Sequence, residues 1–457
     1  MSRFLPFLFV VAFVTTLHAQ EGDDKKKKGP PEGLKALQHP DAAVRYRAAE
    51  TLAQLGPTAK FALPELRETL KDKNGVVRVK AAEAIWKIEQ PAPSTLMPVL
   101  LAALRDKDFG VRAAAPPVIA LFGAKAKPAV PALAEALKDK EVSVKLSAIA
   151  ALGDIGPAAK ETAGDLLDLT SDKEFFLLEP FVGAALANMG DGVVPTLGEA
   201  LAHKLGERRR VAAYALGSIG PGAAPAANAL AKALMHEDLA TRQLAVRALG
   251  KIGPKAKSTL VQIENATSDK DAAIRIEAAL AAWLISGEAK HVGVLVKDLG
   301  DESPNVRDNA CQSLAQMKAA AKDAVDPVAK LLDDKDLRIR AIITLGEIGK
   351  PAEAHAPRLT KLLEDKDGEA KLWSAFALWQ ITGETKMTIK VLEEMLGSEL
   401  HDKQAITLLG DMKSAAKDAL PTLITIYRED DDASFRQAVG VAIKKIDPEA
   451  AMKLGIR

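Results

Sequence analysis

One unit returns at a nearly fixed spacing along most of this chain, and it constrains the fold before any single residue does. Its clearest copy is DKEVSVKLSAIAALGDIGP, Asp139 to Pro157. Val144, Ala148, Ala151, Leu152 and Ile155 fall three or four apart, which makes an apolar stripe along one side of an α-helix. Gly156 and Pro157 close that helix, because glycine accepts the left-handed conformation and proline cannot extend a helix. With the basic residue after the valine as an anchor (Lys145 in this copy), equivalents stand at Arg45, Arg78, Arg112, Arg209, Arg242, Arg275, Arg307, Arg338, Lys371 and Arg436, with Glu179 and Asp402 filling two gaps. Twelve steps carry the anchor from residue 45 to residue 436, a mean of about 33 residues each.

Ahead of Lys145, Val130, Leu133, Ala134 and Leu137 form the stripe of a first helix, Pro131 stands in its first turn, and Asp139 to Val142 make the turn into the second helix. Neither helix can bury its stripe alone, so successive pairs must stack. The expected fold is all-α: an α-solenoid, a right-handed superhelix of about 13 stacked antiparallel helix pairs with a repeat length near 33. It should occupy residues 34–457. No segment shows the two-residue alternation of a half-buried strand.

Residues 1–19 carry one charge, Arg3, and an apolar run from Phe4 to Leu17 that ends in Leu17-His18-Ala19. This reads as a cleaved secretory signal peptide, too short in its apolar run for the ~20 residues of a membrane span. Export to the periplasm or the extracellular space follows, with no stable membrane insertion after cleavage. Residues 20–33, with EGDDKKKKGPPEG, have nothing to bury and read as a flexible charged linker. Lys plus Arg is 62 and Asp plus Glu is 61, so no global field draws a nucleic acid. The single Cys311 excludes an internal disulfide and any cysteine knuckle, and it lies on the apolar stripe of NACQSLAQM as a small buried residue.

A cation opening a helix opposes the macrodipole by ~0.3–1 kcal/mol, so the recurring basic anchor requires a partner. Asp lies six positions upstream at Asp72, Asp106, Asp139, Asp269, Asp301, Asp365 and Asp430. A structural ladder from repeat to repeat is expected along Asp72, Arg78, Asp106, Arg112, Asp139, Lys145, Asp269, Arg275, Asp301 and Arg307. A turn Asp, Val-Arg at the second helix, then AAxALGxIGP: this combination resembles the HEAT repeats, in particular the short HEAT-like type also found in relatives of phycobilisome lyases. The cleanest copies are VRYRAAETLAQLGP (44–57), VKLSAIAALGDIGP (144–157), TRQLAVRALGKIGP (241–254) and IRAIITLGEIGKP (339–351). The resemblance covers residues 34–450 and implies first helices on a convex side, second helices on a concave side, and use as a binding surface.

Function is sought where the repeat departs from itself. In DKEFFLLEPFVGAALANMG (172–190), Phe175, Phe176, Leu178 and Phe181 occupy or follow a turn that is charged elsewhere, and Glu179 replaces the anchor. Either these are exposed anchors for a partner, or they repack under an irregular turn with Pro180 starting the helix. Arg208, Arg209 and Arg210 form a cationic cluster that either clasps an anion or lines a solvated turn. Pro116 and Pro117 are expected to restart their helix. Trp86, Trp283 and Trp379 share one register, eight residues past their anchors, and read as packing; Trp373 is off it and is a candidate surface contact. His39, His203 and His236 replace the turn Asp and read as solvated. No catalytic, cofactor or metal constellation appears. The expectation is a non-enzymatic, monomeric scaffold for a protein partner. A lyase-type HEAT protein handling a chromophore or small molecule, and a nucleic-acid-binding HEAT protein, are the alternatives.

Overall fold

The structure, a computed structural model, describes residues 32–397 and 400–456, so the expected signal peptide and nearly all of the linker lie outside the described residues. Among the described residues every regular element is helical. The chain is an all-α solenoid in which each repeat ends in a helix at least as long as its first. We label these α1 (Ala42–Leu55), α2 (Gly75–Glu89), α3 (Phe109–Ala120), α4 (Val142–Ile155), α5 (Phe175–Asn188), α6 (Gly206–Ile219), α7 (Leu239–Ile252), α8 (Ala272–Ser286), α9 (Pro304–Met317), α10 (Arg338–Ile348), α11 (Gly368–Thr382), α12 (Asp402–Asp411) and α13 (Ala433–Ile446). The chain forms two compact units, parted between Ala148 and Ile149 within α4.

The apolar stripe read from the sequence is the core of each repeat. Val144, Ala148, Ala151, Leu152 and Ile155 are all buried. In the first unit they have counterparts in Ile85 and Ile119, and in the second in Leu178, Leu249 and Leu314, while Leu66, Leu96 and Leu166 are buried on first helices. Each such leucine or isoleucine contributes roughly 1.5–3 kcal/mol on leaving water. The IGP signal has a specific geometry. Gly56, Gly156, Gly220 and Gly253 sit at φ between +55° and +69° and turn the chain into a 3₁₀ segment. Within that segment Ala59, Ala159, Ala223 and Ala256 are fully buried, so the second position after glycine-proline favours a side chain no larger than a methyl.

Three repeats are built otherwise. α2, α8 and α11 each have 15 residues, end in the left-handed Gln90, Gly287 and Gly383, and pass to the next short helix without a 3₁₀ segment. These are the repeats with tryptophan at the shared register: the carbonyls of Trp86, Trp283 and Trp379 accept the capping N–H of those residues at 2.9, 2.7 and 2.8 Å.

Pro116 and Pro117 lie inside the continuous α3, and Pro180 inside α5, which already begins at Phe175. The expected restart at Pro116, and a helix start at Pro180, are therefore corrected: packing on neighbouring repeats holds these helices together across the missing N–H groups. The stretch Val142–Ser171 is long and apolar enough to cross a membrane, yet more than half of its most apolar window is buried in the protein and Gly156 at φ +69° breaks it.

Candidate functional site

The anchor is the fourth residue of α1, α2, α3, α6, α7, α8 and α9, and there its guanidinium joins three things. Arg45 Nη1 folds back on the carbonyls of His39 and Pro40 at 2.7 and 2.8 Å. Its Nε and Nη2 reach both oxygens of Asp72, in the next repeat, at 2.5 and 2.8 Å. Arg112 repeats this on the carbonyls of Asp106 and Lys107 and on both oxygens of Asp139, at 2.6 and 2.9 Å. Arg78 meets Asp106 at 3.2 Å, Arg242 meets Asp269 at 3.6 Å and Arg307 meets Asp334 at 3.1 Å. The turn carbonyls are what lets a cation open a helix. The bonds from Arg112 hold the Asp139 carboxyl below its ordinary value against burial, and donating to Asp72 raises Arg45.

The second oxygen contact of each turn Asp is local. Asp72, Asp106, Asp139, Asp269 and Asp301 each accept, through Oδ1, the N–H two residues on, at 2.8–3.0 Å. The turn histidines do the same with Nδ1: His39 accepts from Asp41 N–H at 3.0 Å, His203 from Leu205 at 3.2 Å and His236 from Asp238 at 3.0 Å. They are structural acceptors rather than merely solvated residues, a role that periodic alignment with the turn Asp already hinted at. Arg275 does not use the turn residue Asp301. It pairs with the buried Asp298, one turn earlier, at 2.8 Å. Lys145 is itself buried.

The irregular fifth repeat divides. Phe175 and Leu178 are 5% and 0% exposed and belong to the core, which corrects their reading as partner anchors. Phe176, Leu177 and Phe181 are 72%, 44% and 49% exposed. On the neighbouring α6, Tyr214 is 47% exposed, and its ring lies so close to Gly183 that an added Cβ would meet Cδ1 at 2.7 Å. Tyr214 was not singled out from the sequence; its place five residues past Arg209, beside the glycine four past Glu179, was the available signal. Arg208, Arg209 and Arg210 do not form a free clasp. They engage Asp168 at 2.7 Å, Asp238 at 3.9 Å, and Glu207 and Asp238 at 3.1 and 3.5 Å. Trp373 is half-buried against the hydrophobic core and stacks edge-on to Phe376, 6.3 Å between centroids, so the surface-contact reading is corrected.

Further along the same second-helix face, α7, α8 and α9 enclose a cavity of about 300 Å³. Glu277 projects into it from α8. Its Oε1 accepts from Gln243 Nε2 at 3.0 Å and Arg247 Nε at 2.7 Å, whereas Oε2 is buried and meets no donor among the described residues. Burial pushes the Glu277 carboxyl up despite those two bonds. In the first unit, Glu83 bridges Lys80 and Lys87 at 2.7 and 2.6 Å, and Lys80 Nζ stands 5.0 Å from the centre of the Tyr46 ring.

Cys311 is fully buried, and burial pushes its thiol up to about 12, so it is no nucleophile at neutral pH. Among the described residues no group of three or more His, Cys, Asp and Glu side chains is placed to hold a metal ion.

Among solved structures the chain is similar to Kap95p, whose binding induces the switch loops of RanGDP to adopt the GTP-bound conformation: 13% identity, TM-score 0.54, 91% of this chain and 66% of that chain covered. It is also similar to the karyopherin Kap121p bound to the extreme C-terminus of the protein phosphatase Cdc14p, with 14% identity, TM-score 0.49, and 92% and 54% covered. The chain thus spans about half the length of Kap121p and about two thirds of Kap95p. A search of curated proteins found no match. A family model described as HEAT repeats matches residues 31–115, 97–178, 194–282 and 260–337, together more than half of the sequence. With that model repeating in step with the helix pairs, the chain belongs to the HEAT-repeat family.

Proposed function

We propose that this chain is a non-catalytic, monomeric scaffold that holds a protein partner on the concave face made by its second helices, centred on the fifth and sixth repeats. The observation that carries the reading is the contrast within one segment. Phe175 and Leu178 fill the core, while Leu177 and Phe181 of α5 and Tyr214 of α6 stand exposed on adjacent helices. Exposed aromatic side chains on adjacent helices supply the buried centre of an interface.

The charges of that face favour protein over nucleic acid. Arg247 is matched by Glu277, Arg340 by Asp308 at 2.6 Å and Lys445 by Asp411 at 2.9 Å, which leaves no basic stripe along them for phosphates. The buried, protonated Cys311 argues against covalent handling of a chromophore. Export to the periplasm or the extracellular space rests on the sequence of residues 1–19 alone.

The test is capture from an envelope extract by the whole mature chain and by a Phe181→Ser/Tyr214→Ser variant, read by mass spectrometry beside thermal unfolding of both. A protein retained by the first and lost by the second at unchanged Tm is the expected result. A retained set identical for both chains refutes the site.

A further inference from the structure

Three devices that join one repeat to the next are altered together at α8 and α11, both in the second unit. The first is the close approach of second helices. Eight residues past the anchor, a Cβ added at Gly153, Gly217, Gly346 or Gly410 would stand 2.9–3.2 Å from the Cα of Ala185, Ala248, Ala377 or Ala442 on the next second helix. In α8 and α11 that register holds Trp283 and Trp379, and an indole there keeps the next helix at a greater distance.

The second device is the 3₁₀ segment. Gly156–Thr162, Gly190–Val193, Gly220–Ala226 and Gly253–Thr259 pack each on the next, as do Lys318–Ala324 and Lys350–His355. This row is broken at α8 and α11, which have no such segment. A Cβ added at Gly156, Gly220, Gly253 or Gly349 would lie 3.4–3.9 Å from a carbonyl oxygen of the next second helix, whereas at Gly287 and Gly383 it would meet nothing within 4 Å. The third device is the rung. Arg307 and Arg338 reach the turn Asp 27 residues on. Arg275 and Lys371 instead pair with Asp298 and Glu394, 23 residues on, each the last residue of the next first helix.

The hydrophobic core divides at the same two helices. One core runs from Ile276 and Ala279 of α8 to Ala377, Leu378 and Ile381 of α11. Another begins at Leu372 and Phe376 of α11 and runs to Ala451. Ile274, Ala278 and Ile285 of α8 are buried but lie outside both. Where fewer buried layers cross between neighbours, less resists their rotation. Gly287 and Gly383, both at φ +76° with open space beside them, can absorb the change in backbone angle.

We propose that α8 and α11 are joints about which the repeats before α8, the pair α9–α10 and the pair α12–α13 turn as stiffer modules. The second-helix face then adjusts to a partner by turning at two places rather than by flexing evenly. This goes beyond the scaffold reading and does not depend on it. In the first unit α2 shares the tryptophan and lacks the segment, but Arg78 still reaches the turn Asp106 at 3.2 Å, and no joint is assigned there.

The test is double electron–electron resonance on the whole chain, with nitroxide pairs set three repeats apart. That spacing is roughly 30 Å at 9–10 Å per helix. Asp154→Cys/Lys251→Cys spans neither joint, Ser218→Cys/Gln316→Cys spans α8 and Gln316→Cys/Asp411→Cys spans α11. All five side chains are exposed, so unchanged thermal unfolding certifies the fold of each variant. Cys311 is fully buried, with its thiol pushed up to about 12, and takes no label. The two spanning pairs are expected to give distance distributions about twofold or more wider than the Asp154/Lys251 pair. A spanning pair as narrow as Asp154/Lys251 refutes the joint it spans. Three equally wide distributions mean even flexing and overturn the proposal.

Discussion

The rung between Arg112 and Asp139 offers the sharpest test of how the solenoid keeps its register. Arg112 makes a two-pronged contact with the Asp139 carboxylate at 2.6 and 2.9 Å, and the two side chains are each only 12% exposed. Exposed pairs contribute about 0.2–1 kcal/mol. A bidentate, largely enclosed pair should exceed that, and a coupling of about 1–2 kcal/mol between the two sites is expected. Arg112→Met also abandons the carbonyls of Asp106 and Lys107, so its own cost should reach about 2–4 kcal/mol, against about 1–2 kcal/mol for Asp139→Asn. Whole-chain melting blurs this, because repeat arrays lose strict two-state behaviour. Hydrogen exchange followed by mass spectrometry across α3 and the first turn of α4 reads it locally. The pH dependence carries a sign. Asp139 is depressed in the folded state, so its contribution is complete above the ordinary carboxylate range near pH 4 and fades as pH falls through the lower folded value. A double-mutant cycle with coupling below about 0.3 kcal/mol at pH 7 is within the error of independent sites and would refute the ladder as an energetic device.

Three further outcomes follow from the same contacts. Gly153→Ala should destabilise by about 1–3 kcal/mol in chemical denaturation, because its Cβ would stand 2.9 Å from the Cα of Ala185 on the next second helix, where backbone cannot yield. Phe175→Ala should cost about 3–5 kcal/mol and Phe176→Ala no more than about 0.5 kcal/mol, a difference of burial visible in thermal melts; equal effects would contradict the split of that segment. Glu179→Arg together with His203→Asp should install a new rung and stabilise the fifth and sixth repeats by up to about 1 kcal/mol in hydrogen exchange, while Glu179→Arg alone, facing an imidazole whose Nδ1 already accepts the Leu205 N–H, should not.

The helices, their stripe and their glycine stops were legible in the sequence because each depends on local spacing. Val144 to Ile155 needed only a period of 3.6 residues, and Gly156 only its φ. The prolines misled for a related reason: propensity says that Pro116 and Pro180 break a helix, but helices clamped between neighbours on both sides continue through them. Spacing also could not divide Phe175 from Phe176, since adjacent residues on a helix point about 100° apart and the direction of the core depends on the next repeat. Tyr214 and the Glu277 cavity escaped notice altogether, being made by residues some thirty apart in the chain that meet only when second helices stack.

The departures at Glu179 and at the turn histidines are one phenomenon. A turn residue serves two masters: it accepts the N–H two residues on, and it receives the anchor of the preceding repeat. Imidazole Nδ1 performs the first task, at 3.0–3.2 Å, but a ring whose Nδ1 is so engaged has no second acceptor to offer a guanidinium. Histidine should then be tolerated where no arginine arrives from the preceding repeat. Among the described residues His39 has no anchor before it, and His203 follows Glu179, which makes no ion pair there. His236 does follow a basic anchor, and there the acid has moved: Arg209 turns to Asp238, two residues on, with a longer contact of 3.9 Å supplemented by Thr241 at 3.5 Å. Glu179 is therefore permitted by His203 rather than selected to repel or bind anything. What remains for a partner at the fifth and sixth repeats are two exposed aromatics on neighbouring helices, Phe181 and Tyr214, to which neither task of the turn assigns a structural duty.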